Sequence, residues 1–133
     1  MRRAVVLAHH DRDGIVDGHV VHALRAYRSV ADTLVLVSAS ARRLPAALEG
    51  TVDTFIAREN VGYDFASWRA GLEALDPSGG HDAPGYDEVT CVNDSVYGPL
   101  SDPAPLFRDP RVAEADLWEF VGRDPRRQVG VAG

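Results

Sequence analysis

The sequence predicts an α/β protein with an open, mostly parallel sheet flanked by helices. Three observations point there. Short, uninterrupted apolar runs recur along the chain, and runs of that length without polar alternation suit strands covered on both faces. Segments with helical apolar spacing separate them, which is the alternation of a parallel sheet joined by right-handed crossovers. Each apolar run also ends at once in a polar cluster, as strands do when their carboxyl ends open onto a common edge.

Ala4 to Ala8 is the first buried strand, and it stops at the polar turn His9-His10-Asp11-Arg12-Asp13-Gly14. Val16, Val20, Leu24 and Tyr27 then recur at helical spacing, which predicts a helix over 16–28. Leu34 to Val37 is the second strand, closed by Ser38-Ala39-Ser40. A short helix over Arg42 to Glu49, capped by Ser40, is expected next. Val52 to Ala57 is the third strand, followed by the loop Arg58-Glu59-Asn60-Val61-Gly62. Phe65, Trp68, Leu72 and Leu75 share a helical face and are expected to pack on the sheet, while Arg69 and Glu73 form an i,i+4 pair on another face. The breaker-rich stretch Asp76 to Gly85 predicts a flexible loop. Glu88 to Val92 is the fourth strand and ends in Asn93-Asp94-Ser95. Prolines 99, 103, 105 and 110 impose loops and short helical turns, Leu117 to Val121 is a candidate fifth strand, and the tail 122–133 is expected to fray.

With 133 residues, the chain is read as one folding unit over 1–121 plus that tail. Hydrophobic residues at 45% and charged residues at 26% exclude disorder along the whole length. The apolar runs fall far short of the roughly 20 residues of a membrane span, and no basic-then-apolar leader opens the chain, so a cytoplasmic protein is expected. Cys91 is the only cysteine, which rules out an internal disulfide and a thiolate metal cage; a buried, inert thiol is expected there. A net charge of −6 argues against a nucleic-acid partner, because phosphate neutralisation needs a basic face. All 14 basic residues are arginine, most simply a coding bias, but this removes Schiff-base chemistry and the phosphate-binding lysine of a P-loop.

The candidate site is the edge where the four strand-end clusters meet. Gly62 suits a positive φ or a close backbone approach, and the helix start that follows offers N–H groups to an anion or hydroxyl; equally, Asp64 is placed to cap that helix. Asn93-Asp94-Ser95 sets one carboxylate between two neutral oxygen donors, a pattern that suits a hard divalent cation and equally an Asx turn. His9 and His10 do not form a zinc site, because neighbours on a strand point to opposite faces; His19 and His22 lie off the apolar face of their helix, on the expected surface.

The segment Arg58-Glu59-Asn60-Val61-Gly62-Tyr63-Asp64-Phe65, followed by Trp68, Gly71 and Leu72, together with Tyr86-Asp87-Glu88 and Asn93-Asp94-Ser95-Val96-Tyr97-Gly98-Pro99-Leu100, resembles the rhamnan synthesis protein F family. His9-His10-Asp11 resembles that family's opening His-aromatic-Asp segment, and the likeness runs from Ala4 to Trp118. The resemblance implies a Rossmann-like sheet, the nucleotide-binding portion of a GT-A-like fold, and a glycosyltransferase of cell-wall or surface polysaccharide synthesis. It implies a nucleotide-sugar donor held by His9, Asp11, Ser38, Ser40, Asn60, Gly62, Asp64 and Asn93, with Mn²⁺ or Mg²⁺ on Asp94 and Ser95. It also implies a polysaccharide or lipid-linked glycan acceptor, bound through a region this short chain lacks or through a partner, and a place in the cytoplasm or against the inner membrane face. Three positions depart from the family pattern: Ala39 stands where asparagine is usual, Glu119 where glycine is usual, and Asp94 supplies one carboxylate where many GT-A enzymes have two. The rival readings are a non-catalytic nucleotide-binding or partner module and a receiver-like signalling domain built on Asp11 and Asp94, the latter disfavoured by the absence of lysine.

Overall fold

The computed structural model describes residues 1–94, 102–114, 117–119 and 130–132. Two compact units divide the chain, 1–101 and 102–133. In the first, β1 (Arg3–His9), α1 (Gly18–Arg28), β2 (Thr33–Ser38), a 3-10 turn (Ala46–Leu48), β3 (Thr54–Ala57), α2 (Tyr63–Leu75) and β4 (Glu88–Asn93) follow in order. The strands form one all-parallel sheet in the spatial order β3-β2-β1-β4. Chain order reverses at β1: β2 and β3 are added on one side of it, β4 on the other.

Strand alternation sorts the core into two layers. Val5, Leu7, Leu34 and Leu36 face α1 and pack with its Val20, Ala23 and Leu24 and with Leu48, all fully or nearly fully buried. Ala4, Val6, Val35 and Val37 face the other way, toward Leu75, Trp68 and Ala70 of α2. The sheet is therefore covered on both faces, which explains the unbroken apolar runs of β1 and β2.

Several expectations are corrected. The helix expected over Arg42 to Glu49 is only the turn Ala46–Leu48, because Pro45 biases the residue before it away from helical geometry and has no N–H to give. Helix α1 begins at Gly18 rather than Val16, and β3 at Thr54 rather than Val52. On α2 the buried residues are Ser67, Gly71 and Leu75, with Trp68 half-buried; Phe65 is 79% exposed and meets the Trp68 ring edge-on, with 5.4 Å between ring centroids. Gly71 sets this geometry: a Cβ there would lie 2.4 Å from Val6 Cγ1, so the helix backbone itself rests on the strand. Cys91 is exposed, because β4 lies at the edge of the sheet.

The loop after α2 is not loose. The buried Asp76 carboxylate accepts the Ser78 N–H and O–H and the N–H groups of Asp82 and Ala83, which winds residues 76–83 around one side chain and holds the acid below its ordinary range. The expected Arg69–Glu73 pair is present at 3.3 Å, joined by His81 at 2.9 Å.

The second unit holds two short helices, α3 (Ala104–Phe107) and α4 (Pro110–Glu114), and the strands β5 (Leu117–Glu119) and β6 (Gly130–Ala132). These strands pair antiparallel, so the segment expected to fray contributes a strand. Among the described residues no helix is long and apolar enough to cross a membrane.

Candidate functional site

The crevice between β1 and β4 is the place where chain order reverses, and in open α/β sheets ligands settle at such a point outside the carboxyl strand ends. His9, Ser38, Ala57 and Asn93 are the last residues of the four parallel strands, so the loops that follow them emerge on one edge.

His9 and Ser38 form the foundation. Both are buried, and His9 Nδ1 lies 2.8 Å from Ser38 Oγ while Nε2 lies 3.1 Å from the Ile15 carbonyl oxygen. A carbonyl only accepts, so Nε2 carries the proton and Nδ1 of the neutral ring accepts from the Ser38 hydroxyl. Ser38 Oγ in turn accepts the N–H groups of Ala41 and Ser40. The pair thus ties the ends of β1 and β2 together beneath the surface and uses up its own polar atoms.

Asp11 and Ser40 shape the loops above. The Asp11 carboxylate accepts the N–H groups of Ile15 and Asp13, which hold its pKa below the ordinary carboxylate value, and its own N–H donates to Ser40 Oγ at 2.9 Å.

Asp94 sits at the switch point. Its Oδ2 accepts the His10 N–H at 3.0 Å and lies 3.9 Å from His9 Nε2, and its carbonyl oxygen lies 3.1 Å from His19 Nε2. Next to it, Asn93 Nδ2 donates to Asp64 Oδ2 at 3.3 Å, which links β4 to the first turn of α2. Loop 58–62 closes the other side. Asn60 Nδ2 donates to His10 Nε2 at 3.0 Å, and the Arg58 guanidinium donates to Ser67 Oγ at 2.9 Å and to the Val61 carbonyl. Gly62 takes φ +84°, and a Cβ there would come within 2.7 Å of Ala66 Cβ, so glycine is required at this entry to α2. Asp64 does not cap the helix: no side chain does.

Between these loops lies an open cleft lined by His10, Ala39, Asn60, Tyr63, Asp64 and Ser67. His10 thus joins Asn60 to Asp94, and Asn93, the chain neighbour of Asp94, pairs with Asp64, while Asp11, Ser38 and Ser40 frame the loops. Ser95 lies outside the described residues. Sequence reasoning missed His10, which lines the cleft while His9 is buried, and His19, which was placed on the surface. It also missed Ser67, a small polar residue in a helix with nothing to mark it. The pairing of His10 with Asp94 joins residues far apart in the chain, so no local pattern announces it.

The edge is rich in carboxylates, with Asp11, Asp64 and Asp94 against Arg58. Among the described residues, no group of three or more His, Cys, Asp or Glu side chains gathers as a ready-made metal cage. The donor set still suits a divalent cation of the kind that uses one or two carboxylates together with waters and phosphate oxygens: among the described residues Asp94 Oδ1 takes no hydrogen bond, and Asp64 is one side chain away through Asn93.

A model of the rhamnan synthesis protein F family matches residues 34–126. No curated protein and no solved structure gives a significant match.

Proposed function

Because the chain belongs to the rhamnan synthesis protein F family, a family of polysaccharide biosynthesis, we propose that its carboxyl sheet edge binds the nucleotide-sugar donor for glycosyl transfer to a cell-wall or surface polysaccharide. The observation that supports this most is the convergence of four polar segments, around His10, Ser40, Asn60 to Asp64, and Asp94, on the point where strand order reverses.

The residues divide the work. Asn60 and Asp64 face hydroxyl groups, and Asp94 is the carboxylate that would hold Mn²⁺ or Mg²⁺. When bound, such a cation supplies the countercharge for a diphosphate leaving group. The acidic edge needs that charge, since Arg58 is already engaged with Ser67 and Val61. His9 and Ser38 hold the ends of β1 and β2 in place and so preorganise the loops that follow them. The acceptor is a polysaccharide or lipid-linked glycan, and the protein works in the cytoplasm or at the inner membrane face.

The test is a thermal-shift screen of nucleoside diphosphates and nucleotide-sugars with and without Mn²⁺. A ligand that binds only the folded chain raises its melting temperature, by about 2.7 kcal/mol of added stability at a hundredfold excess over Kd. Absence of any Mn²⁺-dependent shift across the panel sinks the reading. Binding without transfer to any glycan acceptor favours a non-catalytic donor-binding module.

A further inference from the structure

Tyr63 opens α2 with φ +56°, a left-handed backbone that bulky residues seldom adopt, and its ring is 85% exposed. Among the described residues its hydroxyl makes no hydrogen bond. An aromatic ring held out in solvent on a backbone that disfavours it gains nothing from folding. Tyr63 does line the cleft.

The polar residues that line the cleft with it present mostly acceptors. Among the described residues, Asn60 Nδ2 is engaged with His10 and Asp64 Oδ2 with Asn93, which leaves the Oδ1 atom of each to accept. Ser67 Oγ accepts from Arg58 and keeps its own proton to donate. Such a lining repels phosphate and attracts hydroxyl groups. At about 220 Å³ the cleft is smaller than the roughly 300–1,000 Å³ of sites that enclose a whole drug-sized ligand, so it takes one ring rather than an entire nucleotide-sugar. A saccharide ring matches such a lining: its hydroxyl rim suits the acceptors and its C–H face suits an aromatic ring.

The geometry points to Tyr63 as a positioning residue that stacks on the C–H face of the donor's sugar, with Asn60 and Asp64 reading its hydroxyl groups. This rests on the donor-binding reading above and adds the residue that orients the sugar.

The experiment compares wild type with Tyr63→Phe, Tyr63→Leu and Tyr63→Gly. Glycine suits the backbone at this φ, and circular dichroism confirms that each variant is folded. Calorimetric titration with Mn²⁺ uses matched pairs, a bare nucleoside diphosphate against the same nucleotide carrying a hexose, and a separate NMR titration uses free monosaccharide. Tyr63→Phe is expected to keep the affinity for the sugar-bearing ligand, while Tyr63→Gly and Tyr63→Leu lose on the order of tenfold, with bare nucleotide affinity unchanged in all. Equal losses for bare and sugar-bearing ligands place the ring on the base and overturn the inference. No change in any variant overturns it too. Free sugar shifting the amides of Tyr63 and Asp64 in a chain that binds no nucleotide upholds the role of Tyr63 and overturns donor binding instead; absence of both signals overturns both.

Discussion

His9 Nδ1 lies 2.8 Å from Ser38 Oγ, inside the protein, at the matched ends of two neighbouring parallel strands. This one hydrogen bond decides what a change at either residue does. His9→Ala removes a fully buried ring and leaves the Ser38 hydroxyl without its acceptor, so it is expected to cost about 3 kcal/mol of stability in chemical denaturation. A variant of unchanged stability that loses only ligand affinity would place the ring in direct contact with ligand.

Asp94→Asn keeps an oxygen to accept the His10 N–H but loses the charge. Stability is expected to change by less than about 1 kcal/mol, while Mn²⁺-dependent binding of a nucleoside diphosphate is abolished. EDTA added to wild type should have the same effect on calorimetric binding. Undiminished binding in either case removes the metal role of Asp94 and leaves the diphosphate to backbone donors near Gly62.

Gly71→Ala drives a methyl group into Val6 and is expected to cost about 1–3 kcal/mol by overpacking. In a Val6→Ala background the same change should cost less than about 0.5 kcal/mol, because the two residues couple directly. Additive effects in this double-mutant cycle refute the close approach of α2 to β1.

On the outer side of α2, Phe65→Ala is expected to change stability by less than about 0.5 kcal/mol, since the ring is exposed. Trp68→Phe should cost about 1 kcal/mol, the contribution of the bond from its indole N–H to the Val92 carbonyl at 2.8 Å. Urea unfolding of the two variants side by side measures the contrast, and equal losses would contradict it.

Asp76 predicts a pH effect with a definite sign. Four donors hold its folded pKa below the ordinary value of 3.8, so its contribution is fully present above that value and is lost as pH falls through the lower folded value. Asp76→Asn should therefore lower the melting temperature at neutral pH, with the gap from wild type closing in strong acid. A gap that widens as pH falls contradicts the assignment.

The fold was largely legible because β1 and β2 are buried on both faces and announce themselves as unbroken apolar runs. The candidate edge was legible because polar clusters follow those runs immediately. What escaped the sequence was packing decided at a distance. Phe65 and Trp68 both stand at helical spacing from Leu72 and Leu75, yet Gly71 sets which stripe meets the sheet. His9 and His10 are indistinguishable as letters, and only strand register puts one inside and the other on the cleft. The loop after α2 contains the residues of a flexible linker, but the burial of one carboxylate organises it.

The strand order has a consequence for how the protein is made. β1 is synthesised before the two strands that flank it, and its neighbour β4 pairs Val89 with Ala4 and Asn93 with Ala8, so the middle of the sheet stays half built until nearly all of the first unit has been synthesised. Every pairing in this sheet is parallel, so none can start from a local hairpin and each requires closure of a long loop. The junction of β1 and β4, where His10 meets Asp94, is then among the last parts to assemble. A nascent chain stalled before residue 88 carries an exposed apolar edge on β1 and lacks the β4 side of the candidate site.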